Sequence, residues 1–346
     1  MTTITILNRV LAEMSISKIA SILSVAEGTI KRWIDLGKIP SAYEIDLLRI
    51  LNEPIDYTKY SFSSKDQFFT PTDTAQYCYD KCCKLISYYG DDLSKFHFIE
   101  PSAGNGNFLN VLPHDKRIGL DIEPRNSEII QQDFLSWEPP YVFDKPPYVV
   151  IGNPPFGLRG NLALRFMNKS YPFADYVCFI LPQLFESDGK GSTRKRVKFN
   201  LIHNEKLQSV FYDPNNRVVK VECIFQIWSK YHTNSEYDLI ERNNKDVTIY
   251  SLSDGGSSSS TRNKSKLNSC DVYLPSTCYG KTFMRAYNSF EELPNRRGYG
   301  IIFHNNKSTL LNECKNIEWY KIAFLSTNSA LNLRRSSILQ QISPML

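Results

Sequence analysis

The run Tyr148-Val149-Val150-Ile151-Gly152, closed by Asn153-Pro154-Pro155-Phe156, constrains the fold more than any other stretch of this chain. A continuous apolar run of this length predicts a strand buried on both faces, as strands of parallel sheets are. Proline locks φ and carries no N–H, so the strand must stop there in a rigid turn. Open α/β sheets hold their ligands just beyond such strand ends. The Asn153 amide oxygen and the Pro154 carbonyl are two acceptors able to hold an NH2 group, and Phe156 offers a flat face for stacking. Asn-Pro-Pro is also an ordinary loop element, so the turn alone leaves a structural role open.

Upstream, Phe96-His97-Phe98-Ile99 reads as another strand, leading into Glu100-Pro101-Ser102-Ala103-Gly104-Asn105-Gly106-Asn107-Phe108-Leu109. Gly104 and Gly106 let the backbone pass close to a ligand, and Glu100 at the strand end can accept hydrogen bonds from an ammonium group. No second glycine pair follows, which argues against a dinucleotide phosphate cradle, and a lone Gly-x-Gly also occurs in unrelated turns. Two further strand ends follow: Arg117 to Leu120 runs into Asp121-Ile122, and Ile129-Ile130 leads through two glutamines into Asp133-Phe134. Acidic residues at successive tips suit a ribose diol and an adenine amine, although a strand-end Asp taken alone also serves as a helix cap or turn former. Carboxylates at three successive tips, followed by the Asn-Pro-Pro turn, are hard to explain as independent caps.

Together, Glu100 to Leu109, Asp121, Asp133-Phe134 and Asn153 to Phe156 resemble the ordered motifs of S-adenosylmethionine-dependent amino-methyltransferases, most closely the N6-adenine DNA methyltransferases. Phe68-Phe69-Thr70-Pro71, ahead of a helical stretch from Thr74 to Tyr88, is similar to that family's additional motif at the methionine end of the cofactor. The motif order resembles the γ class, and the likeness covers roughly residues 60 to 230. It implies a Rossmann-like class I methyltransferase fold of the α/β class with a mostly parallel sheet, and S-adenosylmethionine as cofactor. It further implies catalytic roles for Asn153, Pro154, Pro155 and Phe156. Cofactor contacts carry over to Thr70, Pro71, Glu100, Ser102, Ala103, Gly104, Gly106, Asp121, Ile122, Asp133, Phe134 and Asn153.

The first fifty residues form their own unit. Ile16, Ile19, Ala20, Leu23, Val25, Ile30 and Trp33 fall where a helix-turn-helix needs buried side chains, with Ser24 at the turn position often held by glycine. Lys31 and Arg32 project from the second helix, and the stretch to Pro40 resembles the small helix-turn-helix modules of repressors and excisionases, whose second helix enters the major groove. The same helices also suit packing on the catalytic domain or dimer formation. Leu51-Asn52-Glu53-Pro54 is read as the end of the third helix. After the catalytic turn, Asn161 to Ser170 reads as an amphipathic helix, Tyr176 to Pro182 as a buried strand, and Val218 to Trp228 as a hairpin strand. Between them Lys190, Arg194, Lys195, Arg196 and Lys198 cluster among small residues, a composition suited to DNA phosphates as well as to a solvated loop. Phe211 or Tyr212 could stack on a base, or simply belong to the core.

With 346 residues the chain can bury a substantial α/β core and carry accessory units. The expected division is 1–52 helix-turn-helix, 53–66 linker, 67–230 catalytic domain, and 231–346 a small α+β target-recognition region. In that last region Asp254 to Ser260 reads as flexible, Tyr299 to His304 as a strand and Leu331 to Ile342 as a helix. The net charge of +5 is a mild basic excess, compatible with nucleic acid. Eight cysteines without Cys-x-x-Cys pairs read as reduced structural thiols, with no metal. Neither a signal-peptide core nor a membrane-spanning run is read, so a cytoplasmic protein is expected. Duplex DNA is the expected partner, with a homodimer and a cognate restriction endonuclease compatible with it. N4-cytosine methylation, methylation of RNA or of protein glutamine, and a non-catalytic DNA-binding regulator stay open as alternatives to N6-adenine transfer.

Overall fold

The structure, a computed structural model, describes residues 2–61, 65–140, 146–187, 192–219, 221–237, 246–255, 261–325 and 330–342. The chain forms two compact units, one of Met1–Leu181 with Val197–Tyr237, the other of Pro182–Arg196 with Asp238–Leu346.

The first unit opens with helices α1 (Thr3–Glu13), α2 (Ile16–Ile22), α3 (Glu27–Asp35) and α4 (Glu44–Ile50). Their apolar residues recur at helical spacing, and Ile6, Leu7, Val10, Ile19, Ala20, Leu23, Ile30, Trp33 and Leu47 converge in one core that Ile16 and Val25 flank. Ser15 caps α2 by accepting the Lys18 N–H. Ser24 turns the chain between α2 and α3 in the left-handed region, at φ 52°, a conformation costly for a residue with a Cβ. Leu51 to Pro54 therefore follows a fourth α-helix, not a third, because Thr3–Glu13 is helical as well.

Then come α5 (Thr72–Tyr88), β1 (His97–Glu100), α6 (Asn107–Val111), β2 (Arg117–Asp121), β3 (Ile129–Gln131), β4 (Tyr148–Gly152), α7 (Asn161–Ser170), β5 (Ala174–Pro182), β6 (Asn200–Leu207), β7 (Phe211–Tyr212), β8 (Val218–Val219) and β9 (Cys223–Ser229). One sheet has the order β3-β2-β1-β4-β5-β9-β6. β1 runs parallel to both β2 and β4, β2 to β3 and β4 to β5, whereas β6 and β9 are antiparallel. All five residues of β4 are buried, as its uninterrupted apolar run requires. Helix α5 presents Ala75, Cys78, Cys82 and Ile86 to Phe98, Val149 and Ile151, and each fully buried large side chain there stabilises the fold by about 1.5–3 kcal/mol. The stretch Val218 to Trp228 is not one strand: β8 pairs with β7 in a two-stranded ribbon, and only β9 joins the sheet.

The second unit contains β10 (Val247–Ser253), β11 (Val272–Pro275), β12 (Thr277–Cys278), β13 (Arg297–Phe303), α8 (Lys307–Asn316), α9 (Trp319–Ile322), β14 (Phe324–Leu325), β15 (Leu331–Asn332) and α10 (Arg335–Ile342). Two three-stranded sheets, β10-β13-β11 and β12-β15-β14, share a core built around Trp319, whose indole N–H donates to the Cys314 carbonyl. The expected terminal helix thus starts at Arg335, its first residues being strand β15. Of the stretch Asp254 to Ser260, residues 256–260 lie outside the described residues.

Candidate active site

β1 lies between β2 and β4, so the chain leaves it to one side and later returns on the other. Such a switch point opens a crevice at the carboxyl ends of the strands. Glu100 ends β1, Asp121 ends β2, and Asn153 follows β4 directly.

Glu100 is 2% exposed, and its Oε2 has no hydrogen-bond partner among the described residues. Burial, with the Asp121 carboxylate adding to it, pushes the Glu100 carboxyl well above the usual range. A buried acceptor left open is costly unless a ligand completes it. Asp121 builds the glycine turn: Oδ2 accepts the Gly104 N–H at 2.7 Å and Oδ1 the Glu123 N–H at 2.7 Å. Each oxygen keeps a lone pair. Burial raises the Asp121 carboxyl while these two amide bonds pull it down. Gly104 is left-handed at φ 54°, and a Cβ there would come within 3.0 Å of the Phe69 ring. The left-handed turn against the Phe69 ring therefore favours glycine here.

Asn153 is held by the segment that precedes α5. Its Nδ2 donates to the Phe68 carbonyl at 3.3 Å and to the Thr70 hydroxyl at 3.2 Å, while its own backbone carbonyl accepts the Ser102 hydroxyl at 3.1 Å. A carbonyl can only accept, so these contacts fix the amide with its NH2 toward Phe68 and leave Oδ1 for the cleft that Asn153 lines. The Thr70 carbonyl in turn accepts Nδ2 of Asn107, and Pro71 begins α5 as its cap. The cleft is lined by Asp66, Phe68, Asn153, Pro154, Phe156, Phe211, Val221 and Cys223. Phe211 reaches it because Phe69 and Tyr212 exchange backbone hydrogen bonds of 2.7 and 3.0 Å, which leaves Tyr212 half-buried outside the lining.

Asp133 sits just past β3. Its Oδ1 accepts the Leu135 N–H at 3.0 Å and its Oδ2 the Arg49 Nε at 2.5 Å, an ion pair with α4 that sequence patterns do not announce. Asp46 of α4 binds both Arg49, at 2.8 Å, and Arg165 of α7, at 2.5 Å. Asn161 donates to the Leu23 carbonyl, so the end of α2 as well as α4 is tied to α7. The ring of Phe134 is a core group, packed against Phe166, Trp137 and Phe173. Ala103 is buried in the turn, and the Ile122 carbonyl accepts Gln131 Nε2 at 3.2 Å.

Lys31 and Arg32 are exposed on α3. Lys190 lies outside the described residues. Arg194, Lys195 and Arg196 form a single tight turn in the second unit, with Arg194 half-buried and Arg196 bonded to the Thr193 hydroxyl at 3.5 Å, whereas Lys198 belongs to the first unit. The four described cations are thus not one patch of a single unit. Among the described residues no group of His, Cys, Asp and Glu could hold a metal ion, and no helix is long and apolar enough to cross a membrane.

The strand order, with its antiparallel β6–β9 pair at one edge, defines a Rossmann-like class I methyltransferase fold, with the N-terminal helices in the same unit and a small α+β second unit. No family model matches the sequence, and no curated protein does. Among solved structures, the chain is similar to a "putative RNA methyltransferase PH1948 from Pyrococcus horikoshii", at 18% identity and a TM-score of 0.34 over 48% of this chain and 88% of that one. It is also similar to Thermoplasma acidophilum 1320, at 18% identity and a TM-score of 0.31 over 47% of this chain and 88% of that one. The fold assignment rests on the strand order and pairing of this chain.

The site fits S-adenosylmethionine by its donor and acceptor set. The open buried oxygen of Glu100 suits an ammonium group, and the spare lone pairs of Asp121 suit a diol. The glycine turn brings both within reach of one extended ligand.

Proposed function

We propose that this protein methylates the N6 amine of adenine in duplex DNA, using S-adenosylmethionine. The observation that carries the reading is the fixed Asn153 amide, anchored through its NH2 so that its oxygen is left for a cleft that Phe156 also lines. Glu100 would hold the cofactor's ammonium, Asp121 its ribose and Asp133 its adenine amine. When bound, the cofactor supplies an electrophilic methyl group on a sulfonium.

Adenine's exocyclic amine is a poor nucleophile because its lone pair is delocalised into the ring. Asn153 Oδ1 and the Pro154 carbonyl accept its two hydrogens and favour a nitrogen nearer to tetrahedral, which aims the lone pair at the methyl group. The amine keeps both protons until transfer, the methyl's bond to sulfur would break as its bond to nitrogen forms, and the methylated amine would then release one proton to solvent, so no covalent enzyme intermediate is needed. Fixed acceptors and positioning supply the rate enhancement. In a duplex the amine is out of reach, so the base rotates outward at a cost of a few kcal/mol, which a stack on Phe156 offsets by about 1–3 kcal/mol. Lys31 and Arg32 on α3, together with the Arg194 to Lys198 cations, would contact DNA phosphates.

The test is to incubate wild-type protein and Asn153→Ala with labelled S-adenosylmethionine and unmethylated duplex DNA, digest to nucleosides and identify the labelled species by mass spectrometry. N6-methyladenine is expected with wild type, and a loss of about 100-fold or more in rate with Asn153→Ala at little change in cofactor affinity. Undiminished turnover by Asn153→Ala overturns the mechanism. Label in N4-methylcytosine would reassign the base, and label only in RNA or in protein glutamine would reassign the substrate.

A further inference from the structure

Among the residues lining the cleft, Asp66 carries the one carboxyl group. Its backbone is left-handed, at φ 52°, a strained setting for a residue with a side chain and one that persists where surrounding contacts impose it. One such contact is visible. Oδ2 accepts the N–H of Gly157 at 2.6 Å, the residue directly after the Asn-Pro-Pro-Phe turn. Gly157 is itself left-handed, at φ 66°, and a Cβ there would meet Leu162 Cβ at 2.6 Å, so this amide has little freedom to move. The Asp66 carboxyl is thereby held at the mouth of the turn that carries Asn153, with Oδ1 accepting no bond from any described residue.

A base that presents its amine to Asn153 and Pro154 also presents, next to that amine, a ring nitrogen with an in-plane lone pair. We propose that Asp66 is a specificity-determining residue which, carrying its proton, donates through its free oxygen to the ring nitrogen beside the methylated amine. This rests on the reading above that an amino base enters the cleft. An ionised Asp66 would oppose lone pair to lone pair and repel the base. Burial raises the Asp66 carboxyl, and the Gly157 amide pulls it down less. The other titratable group lining the cleft, the Cys223 thiol on β9, is pushed up to about 12 by burial and stays neutral. Lys65, next in the chain, is turned to Glu123 at 2.6 Å.

The proton sets the direction of the pH effect: kcat/KM is high while Asp66 is neutral and falls as pH rises through its pKa. In Asp66→Asn the amide oxygen still accepts the Gly157 N–H and the NH2 is a permanent donor. That variant is expected to stay active and to lose the alkaline decline. A second comparison uses duplexes in which the target adenine is replaced by 1-deazaadenine, whose ring carries C–H in place of N1. Wild type is expected to prefer adenine by about tenfold, the scale of one hydrogen bond, and Asp66→Ala by a ratio near one. An equal ratio in wild type and Asp66→Ala, or an alkaline decline that survives in Asp66→Asn, overturns the role of Asp66 while adenine methylation by wild type stands. No transfer to adenine at all would overturn both.

Discussion

Glu100 shows how a single buried side chain can cost stability. It is buried with an open oxygen, and burial with the Asp121 charge holds its carboxyl well above the usual range. The folded, ligand-free protein therefore binds this proton more tightly than the unfolded chain does. Stability from Glu100 is fully present below the unfolded value of about 4.3 and is lost as pH rises through the higher folded value. Glu100→Gln fixes the neutral form without changing size, so this part of the pH dependence should vanish in thermal melts taken from pH 4 to 8. A bound ammonium favours the ionised carboxyl. On the proposed reading, S-adenosylmethionine should therefore raise the wild-type melting temperature more at pH 8 than it raises that of Glu100→Gln. Equal rises in the two proteins would remove Glu100 from the cofactor's binding set.

At the scale of elements, strands were readable where burial imposes a pattern. The apolar run at Tyr148 to Gly152 and the stretch Phe96 to Ile99 read as strands, and the Asn-Pro-Pro turn and the Glu100 tip with its glycine turn follow directly after them. The break between β8 and β9 was not readable, because Val218 to Trp228 alternates and then turns apolar with no Gly or Pro between, and the change of partner happens through β7. Nor was the contact of α4 with the tip of β3, since an ion pair between Arg49 and Asp133 leaves no local periodicity. Asp66 escaped for the same reason: its partner, Gly157, is distant in sequence. The α4 contact has a measurable consequence. Arg49 and Asp133 are 17% and 16% exposed, so truncating one partner leaves a half-buried charge behind. Arg49→Met should cost about 1–3 kcal/mol in denaturant unfolding, below the loss for a fully buried pair and above that for a surface one. A double-mutant cycle with Asp133→Asn isolates the pair, and a coupling near zero would show that it contributes nothing. On the proposed reading Arg49→Met also weakens cofactor binding, because Arg49 orients the carboxylate that faces the cofactor's adenine.

At the scale of the whole molecule, the four N-terminal helices and the parallel sheet form one compact unit, tied through Arg49, Arg165 and Asn161. A helical module fixed in this way differs from one on a free tether. If α3 engages DNA, its position relative to Asn153 is set by these contacts and not by linker length. The exposed pair Lys31 and Arg32 is then a distinct contribution to binding that can be measured apart from chemistry. Each phosphate neutralised by a cation releases counterions, and the slope of log K against log salt changes by about 0.9 per contact on duplex DNA. Lys31→Ala combined with Arg32→Ala should therefore flatten that slope by about two, measured by fluorescence anisotropy with a labelled duplex between low and moderate salt. The cofactor affinity of the same variant should stay unchanged, because neither side chain is among the residues of the cleft or the glycine turn. An unchanged slope would mean that α3 does not touch DNA and that the helices serve only to pack beside the parallel sheet. A flatter slope with weaker cofactor binding would mean that the substitutions disturbed α4 through the shared core.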